Sequence, residues 1–258
     1  LLNCIGDNIC MQGVPVLYFS YDDGKSELRY RTFARFSEHN IEEFNLRQIP
    51  EFQKIFAIPT IRQIMPVKYV IQEMISVEKW PDLIDQIIKK HGKCPVIIID
   101  YLRKLKLDNG SGDERLRVDN IMGKLTELAK DKNIPIIAIS ELARDSYKGG
   151  QRLSMASFKE SGSIEYEASW LGILAAVEPG GEDSGEYVLK KDWETIIEHD
   201  GNIDLIVFKA KRGTGSTGKI PLKIDRNKMT ATDRNDDSTI PQESFAYQPP
   251  KKVKKSKY

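Results

Sequence analysis

The sequence predicts an α/β fold, a mostly parallel central sheet flanked by helices. Three observations carry this reading. Short apolar runs recur at Val14–Ser20, Val96–Asp100 and Ile134–Ser140, and amphipathic stretches of helical spacing lie between them. Beyond residue 163 the helical spacing gives way to strand-like segments joined by polar loops. Strands that alternate with helices close right-handed crossovers and pair in parallel.

Leu1–Met11 reads as the remainder of an apolar helix, with no cap or turn residue ahead of it, so a preceding segment is expected to be missing. Gly13 ends that helix, and Val14–Ser20, rich in β-branched and aromatic residues, follows as a buried strand. Ser26–Glu38 is helical in character, and a weaker strand is expected around Phe56. From Tyr69 to His91 the apolar residues Val70, Ile71, Met74, Ile75, Leu83, Ile84, Ile87 and Ile88 predict one or two amphipathic helices broken at Pro81. Val96–Asp100 is a fully apolar strand closed by an acid, and Val118, Ile121, Met122, Leu125, Leu128 and Ala129 form the stripe of the next helix. Ile134–Ser140 is a third apolar strand. Trp170–Val177, Ile203–Lys211 and Ile220–Asp225 are expected to extend the same sheet in antiparallel fashion. The folded domain is placed at residues 1–234. Residues 235–258, polar and closing on Lys251, Lys252, Lys254, Lys255 and Lys257, read as a disordered basic tail.

A chain of 258 residues with 40% hydrophobic and 30% charged residues can bury one sizeable core. No apolar run reaches bilayer length and the start lacks the order of a secretory signal, so a cytoplasmic protein is expected. Cys4, Cys10 and Cys94 are odd in number, and His39, His91 and His199 are scattered, which supports neither a disulfide framework nor a zinc site. A net charge of +1 says nothing about nucleic acid, since positive charge is needed only where a strand would pass.

Candidate chemistry collects at the strand ends. Asp100 closes an apolar strand where the ligand crevice of an α/β domain lies, and a carboxylate there can hold magnesium; an ordinary strand-ending acid is the competing reading. Asp22 and Asp23, after the first strand, can supply a base for attacking water, or are simply a turn. Glu141 and Arg144 follow the third strand and would bring three strand ends to one crevice, or are a solvated pair starting a loop. The segment from Asp145 to Glu165, with Lys148, Arg152, Lys159 and tandem glycines, can bind phosphate oxygens or be a surface loop. Gly213–Lys219 matches GxxxxGK, but Ile220 stands where a magnesium-binding Ser or Thr is needed and the context is strand-loop-strand, so it is read as a hairpin loop. Lys209, Lys211 and Arg212 can reach a neighbouring subunit's nucleotide as a finger, or be a solvated strand end.

In order and spacing, these segments resemble the C-terminal motor domain of DnaB-type replicative helicases across residues 1 to about 234. Phe19-Ser20-Tyr21-Asp22-Asp23 is similar to the family's FSLEM, with Leu28 and Arg31 where the family has Leu and Arg. Ile99-Asp100-Tyr101-Leu102 resembles the Walker B segment IDYL, Leu125–Arg144 resembles LKxLAKELxVPVxxLSQLNR, and residues 160–165 are identical to ESGSIE. Lys209–Gly218 resembles the K-x-R-x-G finger segment with one or two insertions.

The resemblance implies a RecA-like P-loop NTPase core that uses ATP and Mg2+. A homo-hexamer on single-stranded DNA is implied, with a primase or loader as partner. It further implies Asp22 as the catalytic carboxylate, Asp100 as the magnesium residue and Glu141 as the nucleotide sensor. Arg212 with Lys209 or Lys211 would be the trans-acting finger, and Lys159, Glu160 and Gly162 would meet the DNA backbone. Asp22 replaces the family's Glu, Glu141 its Gln and Lys159 its Arg, and the phosphate loop is expected just before Leu1. Two other functions fit the residues: a RecA-fold ATPase serving as loader, repair or plasmid/phage replication factor, and a degenerate DNA-binding module without hydrolysis.

Overall fold

The computed structural model describes residues 1–108, 113–158, 161–180, 186–211 and 218–234. Its centre is a four-stranded parallel sheet in the order β2-β1-β3-β4, built from β1 (Val16–Ser20), β2 (Lys68–Ile71), β3 (Val96–Asp100) and β4 (Ile136–Ala138). Every residue of β1 is buried, so alternate side chains supply two cores. Leu17 and Phe19 join Trp80, Ile97, Ile99 and Ile121 on one face, while Val16, Tyr18 and Ile98 pack with Cys10, Leu28 and Ile64 on the other. Phe19 stacks on Trp80 with ring centroids 3.9 Å apart.

Helices cover both faces. α1 (Leu2–Met11) lies so close to the sheet that a Cβ at Gly6 would stand 3.2 Å from Ile98 Cδ1. α2 (Lys25–Phe36), α3 (Ile41–Asn45) and α4 (Pro59–Ile64) follow β1. α5 (Trp80–His91) ends at Gly92, whose φ of 65° suits a residue without a Cβ. α6 (Glu114–Asp131) starts where the Asp113 carboxylate accepts from the amides of Arg115 and Leu116.

Four expectations are corrected. Residues 68–71 form the edge strand β2 rather than the start of a helix, and Pro81 sits in the first turn of α5, where its missing N–H costs nothing, instead of breaking a helix. Phe52–Ala57 is a 3-10 turn and no strand surrounds Phe56. The turn brings Phe52 and Phe56 edge-to-face at 5.7 Å and sets both against Phe33. Helix does not give out at residue 163, because α7 (Ser161–Glu167) and a short turn, α8 (Trp193–Thr195), follow.

The antiparallel C-terminal strands are present but form sheets of their own. One has the order β11-β10-β9-β6, from β6 (Trp170–Ala175), β9 (Asn202–Ala210), β10 (Gly218–Asp225) and β11 (Thr230–Asp233). The other is β5 (Arg152–Leu153), β8 (Tyr187–Leu189) and β7 (Val177–Pro179). Antiparallel neighbours satisfy one another through hairpins, so they need no ladder to β4. The turn between β10 and β11 is tied back to the first half of the chain: Arg35 Nε donates to Met229 O at 2.9 Å, and Lys228 Nζ donates to the carbonyls of Ser37, Glu38 and His39.

Beneath that tie lies a buried charge cluster. Asp7 is fully buried and takes Lys68 Nζ at 2.5 Å on one oxygen and Arg35 on the other. Thr32 Oγ1 donates to Asp7 at 3.2 Å, and Asn3 accepts from Lys68. The residues come from α1, α2 and the first position of β2. Among the described residues no helix is long and apolar enough to cross a membrane. The tail expected at residues 235–258 lies outside the described residues.

Candidate nucleotide and nucleic-acid site

Because β1, β3 and β4 are parallel neighbours, their C-terminal ends open on one edge of the sheet. The register pairs Ser20 with Asp100 and Ile99 with Ala138. The backbone continues this alignment past the strands: Tyr21 N donates to Asp100 O at 3.0 Å and Leu102 N to Ile139 O at 2.9 Å. Asp22, Asp100 and Glu141 therefore follow adjacent strand ends, as the sequence predicts.

Asp100 is half-buried and accepts from the Tyr18 hydroxyl at 3.2 Å. Burial raises its proton affinity, Tyr18 works in the opposite direction, and the nearby charges of Asp23 and Asp22 raise it again. Burial and the Asp100 charge push the Tyr18 phenol upward, so it remains a donor. The two acids after β1 divide their roles. Asp23 is held by Arg31 through two bonds of 2.5 and 2.9 Å, and Arg31 also meets Glu27 at 2.7 Å. Asp22 is exposed and makes no hydrogen bond or ion pair among the described residues.

The charges of Asp22 and Asp23 reach the half-buried Asp100 and raise its proton affinity, and an acidic place of this kind suits a cation. Among the described residues no group of three or more His, Cys, Asp or Glu is arranged to ligate a metal unaided. Magnesium fits such a place because it keeps water and phosphate oxygens as most of its ligands and needs only one or two carboxylates. Asp100 is the residue that would hold it.

Glu141 has a cation that sequence reasoning missed. Arg103 Nη1 meets Glu141 Oε2 at 2.7 Å. Arg103 stands on the turn Leu102–Lys104 after β3, and Arg117 of α6 fixes that turn by donating to Arg103 O at 2.8 Å and Leu105 O at 3.2 Å. Glu141, the acid expected to act as sensor, thus carries its own counter-charge, which no sequence pattern announces.

The segment expected to meet DNA is closed at its neck. Leu142 bridges Phe158 in antiparallel fashion, and Ala143 N donates to Ser157 O at 2.8 Å. Lys159 and Glu160 lie outside the described residues; Gly162 stands exposed on α7. Arg212 also lies outside them. Lys209 and Lys211 point to α7: Lys209 Nζ donates to Glu165 O and to Tyr166 O at 3.1 Å, and Lys211 Nζ to Tyr166 O at 2.8 Å. They occupy carbonyls that a helix C-terminus leaves unpaired, a place that favours cations. Burial and the Lys211 ammonium hold Lys209 below the usual lysine range. β9 and β10 pair in antiparallel fashion on either side of the Gly-rich stretch, which agrees with a hairpin and not a phosphate cradle.

Comparison with known proteins identifies the family and the fold. The model of the DnaB-like helicase C terminal domain matches residues 1–233. A probable replicative DNA helicase of Trieres chinensis is 24% identical over 83% of this chain and 45% of its own length. The replicative DNA helicase DnaC of Bacillus subtilis is 29% identical over 60% of this chain and 32% of its own. The chain spans less than half the length of these curated relatives. Among solved structures, a DnaB-like replicative helicase described with its interactions with primase superimposes with a TM-score of 0.72 at 18% identity, covering 89% of this chain and 53% of that one. That likeness concerns the fold. The chain belongs to the family of DnaB-like helicase C-terminal domains.

Proposed function

We propose that this chain is the motor of a replicative DNA helicase, which as a homo-hexameric ring couples ATP hydrolysis to translocation on single-stranded DNA and duplex unwinding. The observation that carries this reading is the convergence of Asp22, Asp100 and Glu141 on adjacent parallel strand ends within a fold of this family. When bound, magnesium-ATP supplies the phosphoryl bond to be broken and the metal that neutralises its charge. Asp100 would hold the metal, with Tyr18 fixing its carboxyl. Asp22, exposed at the mouth, would orient water and take its proton. Glu141, neutralised by Arg103, would face the terminal phosphate without repelling it. Of the finger candidates, Lys209 and Lys211 are engaged by α7 of their own chain, which leaves Arg212 to reach the neighbour's nucleotide, while Lys159, Glu160 and Gly162 would meet the DNA backbone. A primase or a loader is the partner expected of such a ring.

The 258 residues contain no GxxxxGK[ST], so the chain alone is expected to bind magnesium-ATP weakly or not at all. Calorimetric titration checks this, and a micromolar dissociation constant would contradict it. The motor reading itself is tested by strand displacement with a protein in which the phosphate loop precedes Leu1; failure to unwind any forked duplex favours the loader or DNA-binding readings. In that protein Lys159→Ala should weaken binding equally on unrelated single strands, flatten its salt dependence, and uncouple DNA stimulation from basal hydrolysis. Anisotropy at two salt concentrations reads the first two effects. An unchanged affinity and salt slope would remove this loop from the DNA path.

A further inference from the structure

α7 and the end of β9 enclose an open hollow of about 290 Å³, lined by Met155, Gly162, Glu165, Tyr166, Phe208 and Lys209. Gly162 and Tyr166 are four residues apart on α7 and so share a face. A Cβ built on Gly162 would meet nothing within 4 Å, which leaves the hollow open beside the residue proposed to touch DNA. Tyr166 is 78% exposed, too wet to serve a core. Its ring has Lys211 Nζ at 6.0 Å from the centroid, and Lys209 and Lys211 are both held against the carbonyls of the same helix end. Glu165 and Glu167 offset part of the Lys209 charge.

A flat aromatic face over an apolar floor of Met155 and Phe208, flanked by two ammonium groups fixed in place, is complementary to a planar ring joined to a phosphate. We propose that this hollow is a nucleobase site, in which one base of the single strand stacks on Tyr166 while an adjoining phosphate lies against Lys209 and Lys211. The site rests on the reading that DNA passes the residue 159–162 segment, and it adds a contact to the base to the contacts with the backbone. Stacking tolerates every sequence because every base has a π-face, so it suits a motor. It also gives Lys209 and Lys211 a role within their own subunit.

The test compares oligo(dT) with an abasic strand of equal length and charge, by anisotropy, in a protein in which the phosphate loop precedes Leu1. Wild type should prefer the base-bearing strand. Tyr166→Ala should lower affinity for oligo(dT) by roughly 5- to 150-fold and leave the abasic strand unaffected, while Tyr166→Phe and Tyr166→Trp retain the preference. An unchanged ratio of the two affinities in Tyr166→Ala overturns the site. So does a change in the sedimentation of the assembly at an unchanged ratio, which would make the hollow a contact between subunits. Absence of binding to either strand by wild type overturns the helicase reading and this site with it, whereas binding to both strands with no loss in Tyr166→Ala overturns this site alone.

Discussion

Asp100→Ala is expected to lower ATP turnover by at least about a thousandfold in a protein that carries the phosphate loop ahead of Leu1, since a metal's charge stabilisation amounts to several kcal/mol of barrier. Steady-state hydrolysis with and without single-stranded DNA measures it, and a rate near wild type would refute the magnesium role. The fold should survive, because the side chain is half-buried and its hydrogen-bond partner is the Tyr18 hydroxyl. Burial raises the proton affinity of Asp100 above the ordinary 3.8, so the native state holds this proton where the unfolded chain has lost it. Stability contributed by this group therefore falls as pH rises from that ordinary value through the raised folded one, and the penalty is complete above it. Asp100→Asn removes the penalty and should raise the melting temperature at neutral pH while leaving the enzyme dead. A lower melting temperature in Asp100→Asn would contradict that account. Such a cost is what the proposed metal-holding role of Asp100 would account for.

Asp7→Ala should be the most damaging single change to the fold, at roughly 3–5 kcal/mol, because it strips a buried carboxylate from two cations. In a chain of this size that corresponds to a melting temperature lower by roughly 10 °C, read by circular dichroism. Lys68 and Arg35 respond differently. Burial already holds the Lys68 ammonium below its usual range, and without Asp7 it can shed its proton. Arg35 cannot, and its side chain is only 5% exposed. The variant's Lys68 then binds fewer protons when folded than when unfolded, so the stability of Asp7→Ala should rise with pH. Adding Lys68→Met should recover part of the loss. A loss under 1 kcal/mol, or a pH dependence of opposite sign, would show that the cluster is not charged as drawn.

What is legible in the sequence follows the physics of each element. β1 and β3 stand out because strands covered on both faces are apolar throughout, and α6 because its buried stripe repeats at helical spacing. β2 is hidden: an edge strand of four residues begins with Lys68, whose charge is explained by Asp7, sixty-one positions away. The residues around Phe56 look like a strand because aromatics favour strands, yet here they pack on one another across a helical turn. At the site, Asp22, Asp100 and Glu141 are readable as acids after apolar runs. Tyr18 and Arg103, which condition two of those acids, are not, since one reads as core and the other as a charged turn residue. The lysines expected to act in trans are held against α7, a contact between residues more than forty positions apart.

The register of β1 against β3 has a consequence for folding fidelity. Val16 pairs with Val96 and Ser20 with Asp100 along an unbroken parallel ladder. Side chains in a strand alternate between faces, so a slip of one residue would turn Ile97 and Ile99 toward α1 and move Asp100 away from the Tyr18 hydroxyl. Compactness and site assembly are thus decided by the same pairing. A chain with a misaligned ladder could remain collapsed yet fail to set Asp100 beside Tyr18, so under the proposed motor function hydrolysis per molecule would report how faithfully the two strands found each other.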